Sequence, residues 1–128
     1  MDRLRKLVKC LADCTGASTA EFAIVAPAAL MMMIGGMYVA MLGFTAASLR
    51  YATEQGARCA SINSTLCGTT ADAQNYALSQ FKNLSGSTAT FTATNDTCGQ
   101  KVVGSISYTM NLATYRLVVP LSASACFP

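Results

Sequence analysis

Residues 17–49 read ASTAEFAIVAPAALMMMIGGMYVAMLGFTAASL, and the fold follows from how this stretch is read. From Phe22 to Leu49 there are 28 consecutive residues without a formal charge. The ~30 Å hydrocarbon core of a bilayer takes about 20 apolar helical residues, so the run is long enough to span with some left over. Glu21 bounds it on one side and Arg50 on the other. The alternative is a buried helix of a globular protein. The 66 residues after Ile62 could not easily cover a helix that is apolar all round. The stretch therefore reads as a membrane span.

Details inside the run fit that setting. Pro27 removes one backbone donor and usually bends a helix, but membrane helices tolerate proline where neighbours satisfy the freed carbonyl. Gly36 with Ala40, and Gly43 with Ala47, form small-xxx-small pairs that let helices approach closely. Met31, Met32, Met33, Met37 and Met41 give adaptable packing surface. A methionine copper site is the rival reading of those five, and lipid or helix packing is the simpler one.

Past the run the helical pattern continues. Arg50, Glu54 and Arg58 are spaced i, i+4, i+8, share one face and can pair, as a solvated face also would. A helix over residues 17–62 would be roughly 69 Å long at 1.5 Å per residue, about twice a bilayer. The expectation is a helix with a membrane half and a projecting half.

On the other side lies MDRLRKLVKCLADCTG, residues 1–16. Arg3, Arg5, Lys6 and Lys9 face only Asp2 and Asp13, whereas the remainder of the chain is nearly balanced, for a net charge of +3. Cytoplasmic flanks carry excess Lys and Arg, so this end is expected to stay inside while the rest crosses. The segment lacks the apolar core of a secretory signal peptide. Its LADC has only the outline of a lipoprotein cleavage box, because Asp13 stands where a small residue belongs. Cys10 and Cys14 are spaced for a metal on a helix, yet two cysteines alone make a poor site and read better as reduced bystanders.

Glu21 needs a partner. A carboxylate at the edge of hydrocarbon is costly unless paired or neutralised, which makes it a functional candidate. No basic side chain lies between Lys9 and Arg50. If the chain were cut after Gly16, Ala17 would carry a new amine one helical turn before Glu21. The pairing could lie within one chain or with the next chain of an assembly. In the plainer alternative Glu21 sits among the lipid headgroups and is solvated there.

Residues 63–128 have a different character. Thr69 with Asp72 has capping-box spacing, and Ala73, Tyr76, Ala77, Phe81 and Leu84 then share a helical face, with Gly86 as the stop. Residues 87–94 alternate Thr with Ala89, Phe91 and Ala93. Val102, Ile106, Tyr108 and Met110 share one face, and Tyr115, Leu117 and Val119 repeat the pattern. Asn95-Asp96 and Asn111 mark turns. The sum is an α+β head with one short helix and three antiparallel strands. Cys59, Cys67, Cys98 and Cys126 all follow the apolar run, and an even number there implies two disulfides in an oxidising compartment. Four cysteines allow three connectivities. Cys59–Cys67, pinning a loop to the long helix, and Cys98–Cys126, tying the first turn to the tail, is the favoured one. The Asn63, Asn83 and Asn95 glycosylation triplets are expected by chance in so Asn-, Ser- and Thr-rich a segment.

Composition excludes more than it selects. The chain has 12% charged residues and no histidine. It shows no phosphate loop and no nucleophile with an evident base. Asp72 and Asp96 read as cap and turn residues. The expectation is no enzyme, no cofactor, no metal and no nucleic acid.

Gly16-Ala-Ser-Thr-Ala-Glu21-Phe22, after a short basic leader and before a long apolar helix, resembles the processing site of type IV prepilins. The aromatic Phe22, the proline at Pro27 and the ATEQGARCAS stretch at 52–61 resemble the TadE-like proteins of the tight-adherence (Flp, type IVb) branch. The likeness covers about residues 13–62. It implies a minor pilin or pseudopilin, a structural subunit of a tight-adherence pilus or related secretion system. Its partners would be a prepilin peptidase, other pilin or pseudopilin subunits and an inner-membrane assembly platform. Gly16 and Ala17 would define the cut, Glu21 would guide assembly, and Phe22 and the following apolar face would pack between subunits. The organisation implied is a leader at 1–16, a long helix at 17–62 and a head at 63–128. It places the chain in the bacterial inner membrane with the head in the periplasm, or extracellular within a pilus. The rival from another class is a permanently anchored single-span envelope protein whose head binds a ligand or partner.

Overall fold

In the computed structural model, the residues described are 17–84, 86–112 and 115–128. The basic segment 1–16, with Cys10, Cys14 and Gly16, lies outside them. The first element is a single helix, α1, Ala17–Ile62. It ends at Ile62, and Pro27 sits inside it without ending it. A second helix, α2, Thr70–Gln80, and three strands follow: β1 Thr90–Asp96, β2 Gly99–Leu112 and β3 Tyr115–Phe127. The chain divides into two units, residues 1–37 and 38–128.

In the described part of the first unit, every side chain from Ala20 onward is exposed except Ala26, which is half-buried. The second unit holds the core. The strands form an antiparallel meander in the order β1-β2-β3. The register pairs Phe91 with Gly104 and Ala93 with Val102 on one side, and Val102 with Ala125 and Ile106 with Leu121 on the other. Strand side chains alternate between faces. One face therefore carries Phe91, Ala93, Val102, Ile106 and Tyr108, all buried. The opposite face is hydroxyl-rich, with Thr90, Thr92, Thr94, Ser105, Ser107 and Ser122 exposed. This is the one-sided pattern of an antiparallel sheet with a single covered face.

The cover is α1 within this unit, where Thr45, Leu49, Ala52, Thr53, Gly56 and Ala57 form one buried helical stripe. The approach is close. A Cβ built on Gly104 would stand 2.8 Å from the Thr53 methyl, 3.0 Å from Leu49 Cδ1 and 2.7 Å from the Phe91 ring. The two buried threonines spend their hydroxyls on α1 itself: Thr45 donates to the Met41 carbonyl at 2.9 Å and Thr53 to the Arg50 carbonyl at 2.7 Å. Helix α2 meets α1 through small residues, since a Cβ on Gly56 would lie 2.9 Å from that of Ala77.

The capping box is present: Thr69 accepts from the Asp72 backbone N–H at 3.2 Å, and Asp72 accepts from the Thr69 N–H at 3.3 Å. Ala73 and Ala77 are buried and Tyr76 half-buried. The helix nevertheless stops at Gln80 rather than running on to Gly86. Phe81 turns extended at φ −75°, ψ 122° and sets its ring edge-on to Phe91, with centroids 6.1 Å apart. The Lys82 N–H is then taken by Ser48 Oγ of α1 at 2.8 Å, and Leu84 is left exposed. The tertiary contacts of Phe81 and Lys82 thus outweigh about one and a half more turns of helix.

Both favoured disulfides are formed. Cys59–Cys67 has Cα atoms 5.7 Å apart and Cys98–Cys126 has them 6.2 Å apart. The first closes a loop organised by Asn63, whose side-chain oxygen accepts from the Leu66 N–H at 3.1 Å. The first hairpin turn is Thr97-Cys98, two residues beyond the expected Asn95-Asp96. It falls there because Gly99 supplies the left-handed backbone, with φ 110°. A side chain at Gly99 would also overlap the Phe127 carbonyl. Asn111 belongs to β2 instead of a turn, and residues 113–114 lie outside the described set. Strand β3 runs to Phe127, well past the Tyr115–Val119 alternation, because the small residues of LSASA give no apolar signal of their own.

Candidate functional site

The residues singled out from the sequence fall at the start of α1. Ala17 is the first residue described, already helical, and Gly16 lies outside the described residues. Glu21 is exposed, one turn beyond Ala17, so the two share a helical face. Phe22 beside it is 73% exposed. Among the described residues the salt bridge is Lys101–Asp96, at 3.2 Å, and nothing described neutralises Glu21. A positive amine one turn before Glu21 would attract it directly.

Beyond Glu21 the helix presents bare apolar surface. Ile24, Met32 and Met33 are exposed by about three quarters or more. An 18-residue window of this helix has a mean hydropathy of 2.0, and none of it is buried. Such a helix fits a single membrane pass. Gly35, Gly36 and Gly43 have open space where a Cβ would go, so a second helix can approach the backbone there.

The charged stretch after the apolar run differs from expectation. Among the described residues no salt bridge joins Arg50, Glu54 and Arg58. Arg58 instead lies over the Phe127 ring, 5.1 Å from its centroid, which fastens the end of β3 to α1. Neither Arg58–Phe127 nor the Ser48–Lys82 bond has a signal in the sequence, because each joins residues far apart in the chain.

The head holds a cleft of about 590 Å³ lined chiefly by hydroxyls, Thr90, Ser105, Ser107 and Ser122 among them, with Pro120 and Leu121. Among the described residues no carboxylate, amine or thiol lines it, so they offer no acid–base pair there. Among the described residues no three His, Cys, Asp or Glu side chains gather as metal ligands. The pKa of Asp96 is lowered, first by the Thr97 backbone N–H and then by Lys101. A depressed carboxylate stabilises the fold above its unfolded pKa and loses that contribution as pH falls through the folded one. Its role is to hold the β1–β2 turn.

Residues 16–58, about a third of the chain, match the model of the family described as TadE-like protein. No curated protein and no solved structure matches the chain. The matched segment begins at Gly16 and ends at Arg58, so it takes in Glu21, the apolar run and the part of α1 that carries the head. Over that segment the chain is similar to TadE-like proteins.

Proposed function

We propose, from the TadE-like segment, that this chain is a minor pilin or pseudopilin of a tight-adherence pilus or related secretion system. A prepilin peptidase removes residues 1–16 by cutting between Gly16 and Ala17. The new Ala17 amine then neutralises Glu21, in the same chain or in the neighbouring subunit, and guides insertion into the assembly. Phe22 and the apolar face beyond it pack against other subunits. Before assembly the protein sits in the inner membrane as a single pass, N-terminus in the cytoplasm and head in the periplasm, engaged with the assembly platform. The role is structural and not catalytic.

The observation that carries this reading is the family match opening at Gly16, with an exposed acid five residues on, Glu21, that has no salt-bridge partner among the described residues. A permanently anchored protein would not need that combination. Mass spectrometry of the membrane-purified chain tests the reading: a polypeptide starting at Ala17 is expected, and an intact leader in cells that contain the peptidase overturns it. Gly16→Ala is expected to block maturation. Glu21→Ala is expected to leave membrane insertion intact and to reduce piliation or secretion; undiminished assembly in that variant would remove the role given to Glu21.

A further inference from the structure

The β2–β3 hairpin outruns the rest of the sheet. Strand β1 pairs with β2 only as far as Ser105, whereas the β2–β3 ladder continues to Leu112 and Tyr115. Near this end Tyr115 is 80% exposed and Leu117 and Val118 each 51%. Tyr115 and Leu117 lie on the helix side of the sheet and Val118 on the hydroxyl side, so apolar surface is shown on both faces. Arg116, also exposed, stands between them. A head surrounded by water on this side has no reason to carry that patch.

The contacts along α1 fix the direction in which the hairpin points. Phe127 lies beneath Arg58, and Gly104 lies against Leu49 and Thr53. Moving from the C-terminal end of β3 toward the hairpin end therefore means moving down α1 toward its N-terminus. Four strand residues, from Phe127 to Ala123 opposite Gly104, cover roughly 13 Å of strand. They match roughly 10 Å of helix between Arg58 and the middle of Leu49–Thr53. At the same ratio, Leu117 falls level with about Met41 and Tyr115 with about Tyr38. The burial of α1 agrees: Tyr38, Met41 and Leu42 are half-buried, whereas Met37 and Val39 are exposed. Counting about 20 residues of hydrocarbon from Phe22 reaches Met41. The end of the hairpin and the outer limit of the bilayer core coincide.

We propose that the β2–β3 hairpin end is a lipid-interface anchor. Tyr115, Leu117 and Val118 enter the headgroup region of the leaflet on the head side, and Arg116 meets lipid phosphates. Tyrosine is the side chain that settles at this depth, with an apolar ring and a wet hydroxyl, and arginine matches phosphate geometry. The occupant is the bilayer itself, and the anchor fixes the height and tilt of the unassembled subunit. The proposal rests on reading α1 as a membrane span.

The chain contains no tryptophan, so single insertions report without background. Three full-length variants, Tyr115→Trp, Leu30→Trp and Leu78→Trp, would be reconstituted in phosphatidylcholine–phosphatidylglycerol vesicles. Emission would be read against lipids brominated at shallow or deep acyl positions, and against aqueous iodide. The expected result is Tyr115→Trp blue-shifted and quenched by shallow bromines, Leu30→Trp quenched by deep bromines, and Leu78→Trp quenched by iodide alone. If Tyr115→Trp behaves like Leu78→Trp while Leu30→Trp is still quenched by lipid, the anchor is overturned and the span stands. If Tyr115→Trp is shielded from iodide yet untouched by bromolipid, protein covers the hairpin end and the anchor is again overturned. If Leu30→Trp escapes lipid quenching, the span fails and the anchor falls with it.

Discussion

Gly104 is the residue on which the packing of the head turns. It faces Leu49 and Thr53 across the helix–sheet seam with no room for a methyl group. Gly104→Ala inserts an atom into closely packed surroundings, and overpacking of this kind costs about 1–3 kcal/mol. A lowered thermal midpoint of the head by circular dichroism in detergent is the expected outcome, with Gly43→Ala as the comparison, since open space surrounds Gly43. A midpoint for Gly104→Ala equal to that of the parent would mean that the seam is looser than its geometry. At this scale the sequence was partly silent. Glu21 announces itself, because an acid next to 28 uncharged residues has a cost that must be met. Gly104 does not, because a glycine in an alternating strand reads only as a weakness until the helix opposite it is known.

Among the elements, α2 shows both the reach and the limit of local pattern. Its start is local chemistry, with Thr69 and Asp72 satisfying each other's backbone N–H groups. Thr69→Ala removes one half of the box and should cost about 1 kcal/mol. Urea unfolding of the head in detergent would show the loss as a lower midpoint with an unchanged slope. An unshifted midpoint would mean that the packing of Ala73 and Ala77 against Gly56 of α1 holds the helix without its cap. The end of α2 is not local. Phe81 leaves the helix for Phe91 and Lys82 for Ser48, and neither partner is within reach of a periodicity argument. The same division explains the strands. Their alternation is visible where large apolar residues mark one face, and β3 fades from view where alanine and serine replace them. Helix α1 was legible because its uncharged run is long enough to span a bilayer and Arg50, Glu54 and Arg58 continue it at helical spacing.

For the molecule as a whole, the limiting quantity is the modest size of the core. Half of the buried apolar residues described are alanines, namely Ala52, Ala57, Ala73, Ala77, Ala89 and Ala93. A core that small supplies little stability by burial alone, and covalent ties make up the difference. Replacing Cys98 and Cys126 by serine should cost about 2–4 kcal/mol, and the shorter loop of Cys59–Cys67 somewhat less. Protease sensitivity of the two double variants, compared in intact membranes, would rank them; equal resistance in both and in the parent would contradict the ledger of a small core. The number and even parity of the cysteines foretold the ties, but the pairing was one of three until the turns were placed. One position in the last strand has a further consequence. Strand β3 forms the rim of the meander, and Pro120 sits midway along it. A subunit crowded among identical copies runs the hazard of zippering rim to rim without limit. An imino acid there cannot donate, so no sister chain can lay down an unbroken ladder along that rim, and self-association is left to the greasy helix.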